Sequence, residues 1–252
     1  MKRAIIVLLA VAITSSASAA VVWRSLQRGV EYATFDSLHV VRVDPAVAKV
    51  QVALASELRV APQTAAQWCR TANLAVAINL GMFQTDHRSN VGYMRHGKHL
   101  NNRRWNAYRS VLAVNPSALW VDLDRSKPFD ALAKYDIVVQ NLRLIAGGRK
   151  NVWAKSDKQW SEAALAIDSR GRLLFLFSRA PYTMRRFNEI LLSLPLDVQQ
   201  AMHVEGGPEA SLSIHVPGFD LDLCGSFESG FNPDDSNRQQ WPIPNVIGVR
   251  RD

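Results

Sequence analysis

Short apolar runs separated by polar turns dominate the 252-residue chain, and their pattern predicts a protein rich in β-strands. Some runs alternate apolar with charged residues, as half-buried strands do, and others are continuously apolar. Because these strands do not alternate regularly with helices, we predict an α+β domain with a mixed, largely antiparallel sheet and a few flanking helices. The predicted strands are GVEYATF, LHVVRVDP, VQVALASE, LAVAIN, RSVLAVN, ALWVDL, DIVVQN, ALAIDS, RLLFLFS, AMHV, SLSIHV and NVIGV.

Two segments have the pattern of amphipathic helices. APQTAAQWCRTAN carries Pro62 early, where a missing N–H costs little, and MRRFNEILLSLP has its apolar residues at helical spacing. The turn Asp168–Gly171 is predicted to join ALAIDS and RLLFLFS as a hairpin. The stretches 84–107 and 217–244 are predicted to be loops. No repeat or low-complexity linker divides the chain, so we predict one domain over residues 20–252.

Residues 1–19 have the pattern of a signal peptide. Lys2 and Arg3 precede the apolar run Ala4–Ile13, and Ala17-Ser18-Ala19 offers small residues for cleavage. This run is shorter than the roughly 20 residues that span a bilayer. An uncleaved signal anchor is the alternative. We therefore predict an exported protein, periplasmic or secreted, without stable membrane insertion once the signal is removed.

Composition and charge narrow the function classes. Apolar residues make up 48% of the chain and charged residues 21%, which excludes a disordered protein. The formal net charge of +8 suits an anionic substrate, a nucleic acid or an anionic envelope surface. Export makes nucleic acid the least fitting of these partners. The sequence leaves the oligomeric state open.

The two cysteines, Cys69 and Cys224, allow two interpretations. In an exported protein an even pair is compatible with one long-range disulfide. The alternative is two buried thiols, which behave as small apolar residues.

The segment AINLGMFQTDHRSNVGY carries the first candidate group, at the end of an apolar strand. Asn79, Gly81 and Phe83 follow the strand, and Asp86 and His87 lie in the polar loop behind it. Gly81 permits a sharp turn or a close approach to a ligand. The alternative is an ordinary turn.

The loop from His87 to Arg109 is rich in histidine and arginine. One interpretation is a clamp for an anion, because guanidinium groups match phosphate oxygens. The other is a solvated basic loop. The histidine spacing matches no familiar zinc ligand set, and no cysteine joins it.

Two further strands end in polar groups. VVQNLRLIAGG places Gln140 and Arg143 at a strand exit, and LFSR does the same with Ser178 and Arg179. Binding groups are common where a rigid sheet opens into a loop. The alternative is that these side chains only satisfy loop backbone.

The segment AMHVEGGPEASLSIHV raises the question of whether it forms a turn or a site. Gly206 and Gly207 interrupt two strands, permit unusual backbone torsions and can turn N–H groups toward an anion. Glu205 stands at the end of an apolar strand, where a carboxyl group can do acid–base or nucleophilic work. No serine-hydrolase arrangement is legible.

Taken in order, these motifs resemble the phosphodiester glycosidase domain family, which includes bacterial exopolysaccharide-biosynthesis-like proteins. The resemblance covers roughly residues 31–249 and implies an α+β domain that hydrolyses the bond between a sugar's anomeric carbon and a phosphodiester oxygen. By that resemblance the chain is an exported hydrolase of N-acetylglucosamine-1-phosphodiester type, acting on envelope glycan or glycolipid. The motifs are AINLGMF, DHRSNVGY, VVQNLRLI, LFSR, EGGPEASL and PIPNVIGV.

The resemblance also implies a set of site residues. The chain departs from the family pattern where Glu205 stands in place of an aspartate, followed by only two glycines and then Pro208-Glu209. Leu80 and Met82 also depart from the smaller or aromatic residues common in the family. The matching residues are Asn79, Gly81, Phe83, Gln140, Arg143, Ser178, Arg179, Glu205, Gly206, Gly207, Ser211 and Asn245.

A mechanism follows from these residue types. Phosphate leaves readily, so the departing charge mainly needs neutralisation, for which Arg143, Arg179 and the Gly206-Gly207 backbone are the candidates. A carboxylate must then stabilise the sugar cation, attack it, or activate the water that attacks it. Glu205 is the first candidate and Asp86 the second, with His87 binding substrate.

Two points about this site stay open. No cofactor is assigned, and a divalent cation at Asp86 and neighbouring carbonyls is left as an alternative. The competing function is a non-catalytic binding module for exported polysaccharide.

Overall fold

The computed structural model describes residues 21–115, 117–123 and 129–252. The predicted signal peptide lies outside the described residues. Within them, no helix is both long and apolar enough to cross a membrane.

The described strands form two sheets, and all their pairings are antiparallel. The larger, 12-stranded sheet contains β1 (Arg24–Gln27), β2 (Val30–Phe35), β3 (Leu38–Val43), β6 (Met94–His96), β7 (His99–Asn102), β8 (Ser110–Val114), β9 (Leu119–Asp122), β10 (Ile137–Ala146), β11 (Lys150–Asn151), β12 (Trp160–Asp168), β13 (Leu173–Tyr182) and β14 (Val198–Gly206). The smaller, five-stranded sheet contains β4 (Val50–Leu54), β5 (Leu74–Asn79), β15 (Ser211–Val216), β16 (Phe219–Cys224) and β17 (Asn245–Arg250).

The main hydrophobic core lies between these sheets. Phe175 and Met202 of the larger sheet share one cluster with Ile78, Leu212 and Ile247 of the smaller sheet. Strand β5 is buried along its whole length because it runs through the middle of the smaller sheet and is covered on both faces. This explains why LAVAIN is continuously apolar.

Helices cover the outer faces of both sheets. The described helices are α1 (Ala55–Leu58), α2 (Ala65–Thr71), α3 (Phe129–Leu132) and α4 (Met184–Ser193), with a 3₁₀ turn at Gly207–Glu209. Phe187 and Leu191 of α4 pack on the larger sheet, and Trp68 of α2 packs on the smaller one. The α+β expectation is therefore confirmed, with two packed sheets where the sequence predicted one.

Several local expectations change in the structure. The predicted loops contain strands β6, β7 and β16. The end of VQVALASE turns into α1. Helix α2 begins only after Thr64, whose side chain accepts a hydrogen bond from the Gln67 backbone N–H while the Gln67 side chain accepts one from the Thr64 N–H. The hairpin at Asp168–Gly171 is confirmed, with a backbone bond of 3.0 Å between its end residues.

Candidate active site

The segment around Gly206 connects the two sheets. Strand β14 lies between β12 and β10 in the larger sheet, whereas β15 pairs with β5 and β16 in the smaller one. The 3₁₀ turn Gly207–Glu209 carries the chain from one sheet to the other. The two flanking strands therefore do not form a hairpin, and the glycines lie where the chain leaves the larger sheet.

Both glycines have a steric reason to be glycine. A Cβ on Gly206 would lie 2.7 Å from Cδ1 of Trp160, so a side chain there would collide with the indole. Gly207 has a positive φ of 60°, and a Cβ on it would overlap the carboxylate of Glu228. Trp160 and Glu228 therefore pack closely against this backbone because Gly206 and Gly207 carry no side chains.

A β-bulge directs the side chains just before this turn. On β12, the neighbours Ala163 and Ala164 face Glu205 and His203, so Val204 is the extra residue on β14. Bulges are common beside active sites because they re-aim a side chain without ending the strand. Here the bulge brings Glu205 to the last turn before the sheet crossover.

Glu205 is a buried acid with a strongly altered affinity for protons. Its side chain is only 9% exposed, and its Oε1 accepts a hydrogen bond of 3.1 Å from the Gly206 backbone N–H. Burial raises the pKa of Glu205 to about 8, although the positive charge of His203 opposes the shift. At neutral pH Glu205 is therefore largely a neutral acid that can donate a proton.

Two more carboxylates accompany Glu205. Burial raises the pKa of Glu209, and Glu228 adds to the shift. Burial likewise raises the pKa of Glu228, which His203 and Lys158 oppose. Glu209 belongs to the 3₁₀ turn, and Glu228 reaches the site from the segment after β16. We call Glu205, Glu209 and Glu228 the carboxylate cluster.

Asn79 fixes the position of the turn from the neighbouring strand. Its Nδ2 donates to the Glu209 carbonyl at 3.0 Å, and its Oδ1 accepts from the Ser211 N–H at 2.7 Å. Ser211 itself is buried and donates its hydroxyl to the same Glu209 carbonyl at 3.2 Å. These two predicted binding residues thus hold the backbone at Glu209 and directly after it.

An aromatic-lined pocket of about 580 Å³ opens beside the cluster. Glu209 supplies its carboxylate, and the exposed ring of Phe231 packs edge-on against Trp241 at 6.4 Å between ring centroids. This volume lies within the range of small-ligand sites. Apolar rings with two polar side chains, Glu209 and His87, suit the face of a sugar. The pocket is lined by Pro62, Phe83, His87, Glu209, Phe231, Trp241 and Pro242.

The predicted residues Phe83 and His87 both lie in this pocket. Their rings pack against each other with centroids 5.5 Å apart. His87 has a positive φ of 52°, which is uncommon for a residue with a side chain. The charge of His87 opposes the rise in the Glu209 pKa, so the imidazole lies near Glu209.

Asp86 holds the loop that presents His87. Its Oδ1 accepts from the backbone N–H groups of Arg88 and Ser89, each at 2.9 Å, and its Oδ2 accepts from the Ser89 hydroxyl at 2.6 Å. These bonds, led by that of the Ser89 hydroxyl, lower the pKa of Asp86. The catalytic role of Asp86 stays a prediction, and its observed contacts all lie within its own loop.

Amide side chains secure the other end of this loop. Asn245 of β17 donates to the Arg88 carbonyl at 3.2 Å, as Asn101 does at 2.9 Å. Gly81 is packed between Asn90 and Asn141, since a Cβ on it would lie 2.8 Å from Asn141 Oδ1. The predicted residues Gly81 and Asn245 therefore contact the loop that carries His87, at Asn90 and Arg88.

Gln140 organises the next segment rather than facing the carboxylate cluster. Its Nε2 donates to the carbonyls of Asn106 and Tyr108, and its Oε1 accepts from the backbone N–H groups of Tyr93 and Asn106. Gln140 is fully buried. These contacts are those of an amide that satisfies loop backbone, the alternative to a binding role.

The two candidate anion-binding arginines each face a carboxylate. Arg143 lies 3.9 Å from Asp122. Arg179 donates to Asp235 at 2.5 Å and also to the Cys224 and Asn237 carbonyls. Their role in binding phosphate stays a prediction.

Ser178 and the basic loop also make local contacts. The buried hydroxyl of Ser178 donates to the Ala180 carbonyl at 3.0 Å. In the basic loop, Arg95 donates to backbone carbonyls, and His96 pairs with Glu57 at 2.7 Å. Within the part of the chain that the structure describes, no group of three or more His, Cys, Asp or Glu side chains could hold a metal ion.

Both cysteines are free thiols, which answers the question of the disulfide. Cys69 is buried and its Sγ faces the Ser213 carbonyl at 3.9 Å, whereas Cys224 is only partly buried. Burial raises the pKa of the Cys69 thiol to about 12, with the Asp222 charge adding to the shift. Cys69 therefore acts as an apolar core residue.

Sequence reasoning missed four acidic or basic residues of the site. Glu162 and His203 form a buried pair, and Glu209 and Glu228 complete the carboxylate cluster. A usable signal was present for the first pair, because a charged residue inside an apolar strand must find a partner. Glu228 carries no such signal, since it lies in a polar segment of the sequence.

Residues 72–250 match the model of the phosphodiester glycosidase family. No curated protein matches the chain by sequence.

Two solved structures resemble the chain. The catalytic domain of zebrafish N-acetylglucosamine-1-phosphodiester alpha-N-acetylglucosaminidase, auto-inhibited by its pro-peptide, gives a TM-score of 0.63 at 15% identity, covering 94% of this chain and 86% of that one. A hypothetical protein from Synechocystis gives a TM-score of 0.55 at 14% identity, covering 91% of this chain and 61% of that one. At these identities the likeness shows a shared fold.

Proposed function

The chain belongs to the phosphodiester glycosidase family, and we propose that it hydrolyses the bond between a sugar's anomeric carbon and the oxygen of a phosphodiester. The observation that carries the proposal is the carboxylate cluster beside an aromatic-lined pocket, into which Glu209 of the cluster extends. Glycosidases act with a pair of carboxyl groups, one protonated and one ionised, on either side of the bond that breaks.

Glu205 is the proposed acid. Its pKa of about 8 keeps the proton on the carboxyl group at neutral pH. When the bond between C1 and the bridging oxygen breaks, its electron pair moves to that oxygen and Glu205 supplies a proton there. A neutral acid at this position also spares an anionic substrate the repulsion of a carboxylate.

Glu209 is the proposed partner of Glu205. It lines the pocket, whereas Glu205 does not, so its carboxylate faces the ring that the pocket holds. Burial raises the pKa of Glu209, and the charge of His87 opposes that rise and so favours the ionised form of Glu209. An ionised Glu209 can stabilise positive charge on the sugar ring, and it either attacks C1 or activates the water that does.

The substrate class follows from the pocket and the family. The rings of Phe83, Phe231 and Trp241 suit a pyranose face, and we propose N-acetylglucosamine 1-phosphodiesters as the first substrates to test. The predicted export and the positive net charge favour an envelope glycan or glycolipid as the natural substrate.

Phosphorus NMR of the purified protein with an N-acetylglucosamine 1-phosphodiester tests the proposal. We expect a phosphomonoester signal to grow with the wild-type protein. With Glu205→Gln or Glu209→Gln the rate of this growth should be at least about 100-fold lower. Glu189→Gln, on the outer helix α4, is the matched control and should keep the full rate.

Two outcomes would count against the proposal. An intact diester with folded wild-type protein, across several sugar 1-phosphodiesters, would remove the hydrolase assignment. If the protein still bound envelope polysaccharide under those conditions, the competing function of a binding module would stand instead.

A further inference from the structure

A buried ion pair stands directly behind Glu205. Glu162 lies on β12 with its side chain fully buried, and both of its oxygens face Nδ1 of His203, at 2.8 and 2.9 Å. Such a bond holds the proton on Nδ1 and fixes the plane of the imidazole.

Glu162 is itself held by a second bond. The Trp160 indole N–H donates to Glu162 Oε2 at 2.6 Å, and the same indole lies edge-on to His203, with centroids 5.9 Å apart. Trp160 in turn sits over Gly206. One series of contacting residues thus runs from Gly206 through Trp160 and Glu162 to His203, which lies beside Glu205.

The titratable groups that raise the pKa of His203 are three glutamates. Glu162 faces it from β12, Glu205 from its own strand and Glu228 from the segment after β16. The residues directly across from His203 on the neighbouring strands, Ala164 and Leu142, are apolar. His203 is 5% exposed, so water screens it little.

We propose that Glu162 is a positioning residue that holds His203 as an imidazolium beside Glu205, so that a fixed positive charge faces the carboxylate cluster. A buried cation is costly unless an ionised partner accompanies it. Burial raises the pKa of Glu162, but the charge of His203 and the hydrogen bonds from His203 and Trp160 oppose that rise and favour the ionised carboxylate. Burial alone would lower the pKa of His203, but the charge of Glu162 and its hydrogen bond, with Glu205 and Glu228, raise it above the ordinary value.

This charge has a consequence for the reaction, which rests on the proposed function. The imidazolium opposes the rise that burial imposes on the pKa of Glu205. The imidazolium therefore helps Glu205 to give up its proton during turnover. Without this charge the pKa of Glu205 would be higher and the proton would be held more strongly. The imidazolium also offsets negative charge at the site to which an anionic phosphodiester must come, since Arg143 and Arg179 each face a carboxylate elsewhere.

Nitrogen NMR of the His203 side chain tests the proposal without any substrate. In the wild-type protein we expect an imidazolium at pH 7, with both ring nitrogens protonated. In Glu162→Gln, which keeps the side-chain shape but removes the charge, the titration midpoint of His203 should fall by about one pH unit or more. A neutral His203 in wild-type protein at pH 7 would overturn the proposal.

The matched control is Glu57→Gln, which removes the carboxylate of the separate pair between Glu57 and His96. It should leave the titration of His203 unchanged. If Glu162→Gln moves that titration no more than Glu57→Gln does, the positioning role is refuted. The wild-type spectrum keeps the test decisive even where a variant folds poorly.

The pH dependence of turnover gives a second measure. Loss of the neighbouring charge raises the pKa of Glu205, so the alkaline limb of kcat/KM should move to higher pH in Glu162→Gln and equally in His203→Asn. The double variant should show no further movement, because Glu162 acts through His203. Absence of any turnover in wild-type protein would refute the proposed function alone, since the NMR result does not depend on it.

Discussion

The indole of Trp160 occupies the space that a side chain on Gly206 would need, with 2.7 Å between Cδ1 and the position of a Cβ. Gly206→Ala should therefore push the indole away from Glu162 and cost about 2 kcal/mol of stability. The expected readouts are a lower denaturation midpoint and a loss of turnover larger than the stability loss explains. Gly218→Ala is an instructive control, because a Cβ there meets no atom within 4 Å, although its φ of 75° still strains the backbone. Equal activity losses in both variants would contradict the packing argument.

The pKa of Glu205 predicts an unusual pH dependence of stability. The folded protein holds this proton up to a pH of about 8, whereas the unfolded chain releases it near the ordinary value of 4.5. The stability that the proton contributes is complete below the unfolded pKa and is lost as the pH rises toward 8. Between pH 6 and 9 the wild-type protein should lose on the order of 2 to 3 kcal/mol more than Glu205→Gln does.

Chemical denaturation at both pH values measures this difference. Other titrating groups change in both proteins, so their contribution cancels in the comparison. Parallel pH dependence of the wild-type protein and Glu205→Gln would show that Glu205 is already ionised near its ordinary pKa. That result would remove the proposed acid from the mechanism.

Much of the fold could be predicted from the sequence because the responsible interactions are local. Strand β5 is apolar at almost every position, and α4 follows Thr183, whose side chain caps it, with apolar residues on one face. Strand β16, at the edge of the smaller sheet, was missed although FDLDLC alternates apolar with acidic residues, because it is short and lies within a polar stretch rich in glycine and proline. The strand pair β6 and β7 was missed because it is made largely of polar residues.

The candidate site was also predictable only in part from the sequence. Glu205 and the glycines stand out in the sequence because an acid and two flexible residues interrupt an apolar run. The role of these residues does not stand out in the sequence, because only the strand pairing shows that the chain crosses from one sheet to the other at this point. Glu162 reaches His203 across 41 residues of sequence, and no local pattern encodes such a contact.

We predict that the hydrogen bonds of Asn79 to the backbone at Glu209 and Ser211 are needed for activity. Asn79→Ala would leave the Ser211 N–H without its side-chain partner and the Glu209 carbonyl with the Ser211 hydroxyl alone, at a cost of about 1 to 3 kcal/mol. Because Glu209 would lose its fixed position, kcat should fall more than KM rises. Asn79→Asp keeps the acceptor for Ser211 but not the donor, so we expect an intermediate loss. Unchanged kinetics in a destabilised Asn79→Ala protein would separate this residue from the site.

For Phe231 we predict a change in KM with little change in the free energy of unfolding. Its ring is 59% exposed, so Phe231→Ala should change the free energy of unfolding by less than about 0.5 kcal/mol. If the ring holds the sugar, its loss should raise KM about tenfold, equivalent to about 1.4 kcal/mol of binding. Leu100→Ala, at a residue that is 50% exposed on β7, is the control and should affect neither quantity. A KM that matches the control would place the sugar elsewhere.

Hydrolysis in water labelled with oxygen-18 tests the central claim most directly, because it shows which bond breaks. Cleavage between C1 and oxygen puts the label on the sugar, and cleavage between phosphorus and oxygen puts it on the phosphate. Phosphorus NMR separates the two through the isotope shift of the phosphomonoester signal. We predict a phosphomonoester without label, formed by the wild-type protein and not by Glu205→Gln. A labelled phosphomonoester would identify a phosphodiesterase acting at phosphorus and contradict the proposed roles of Glu205 and Glu209.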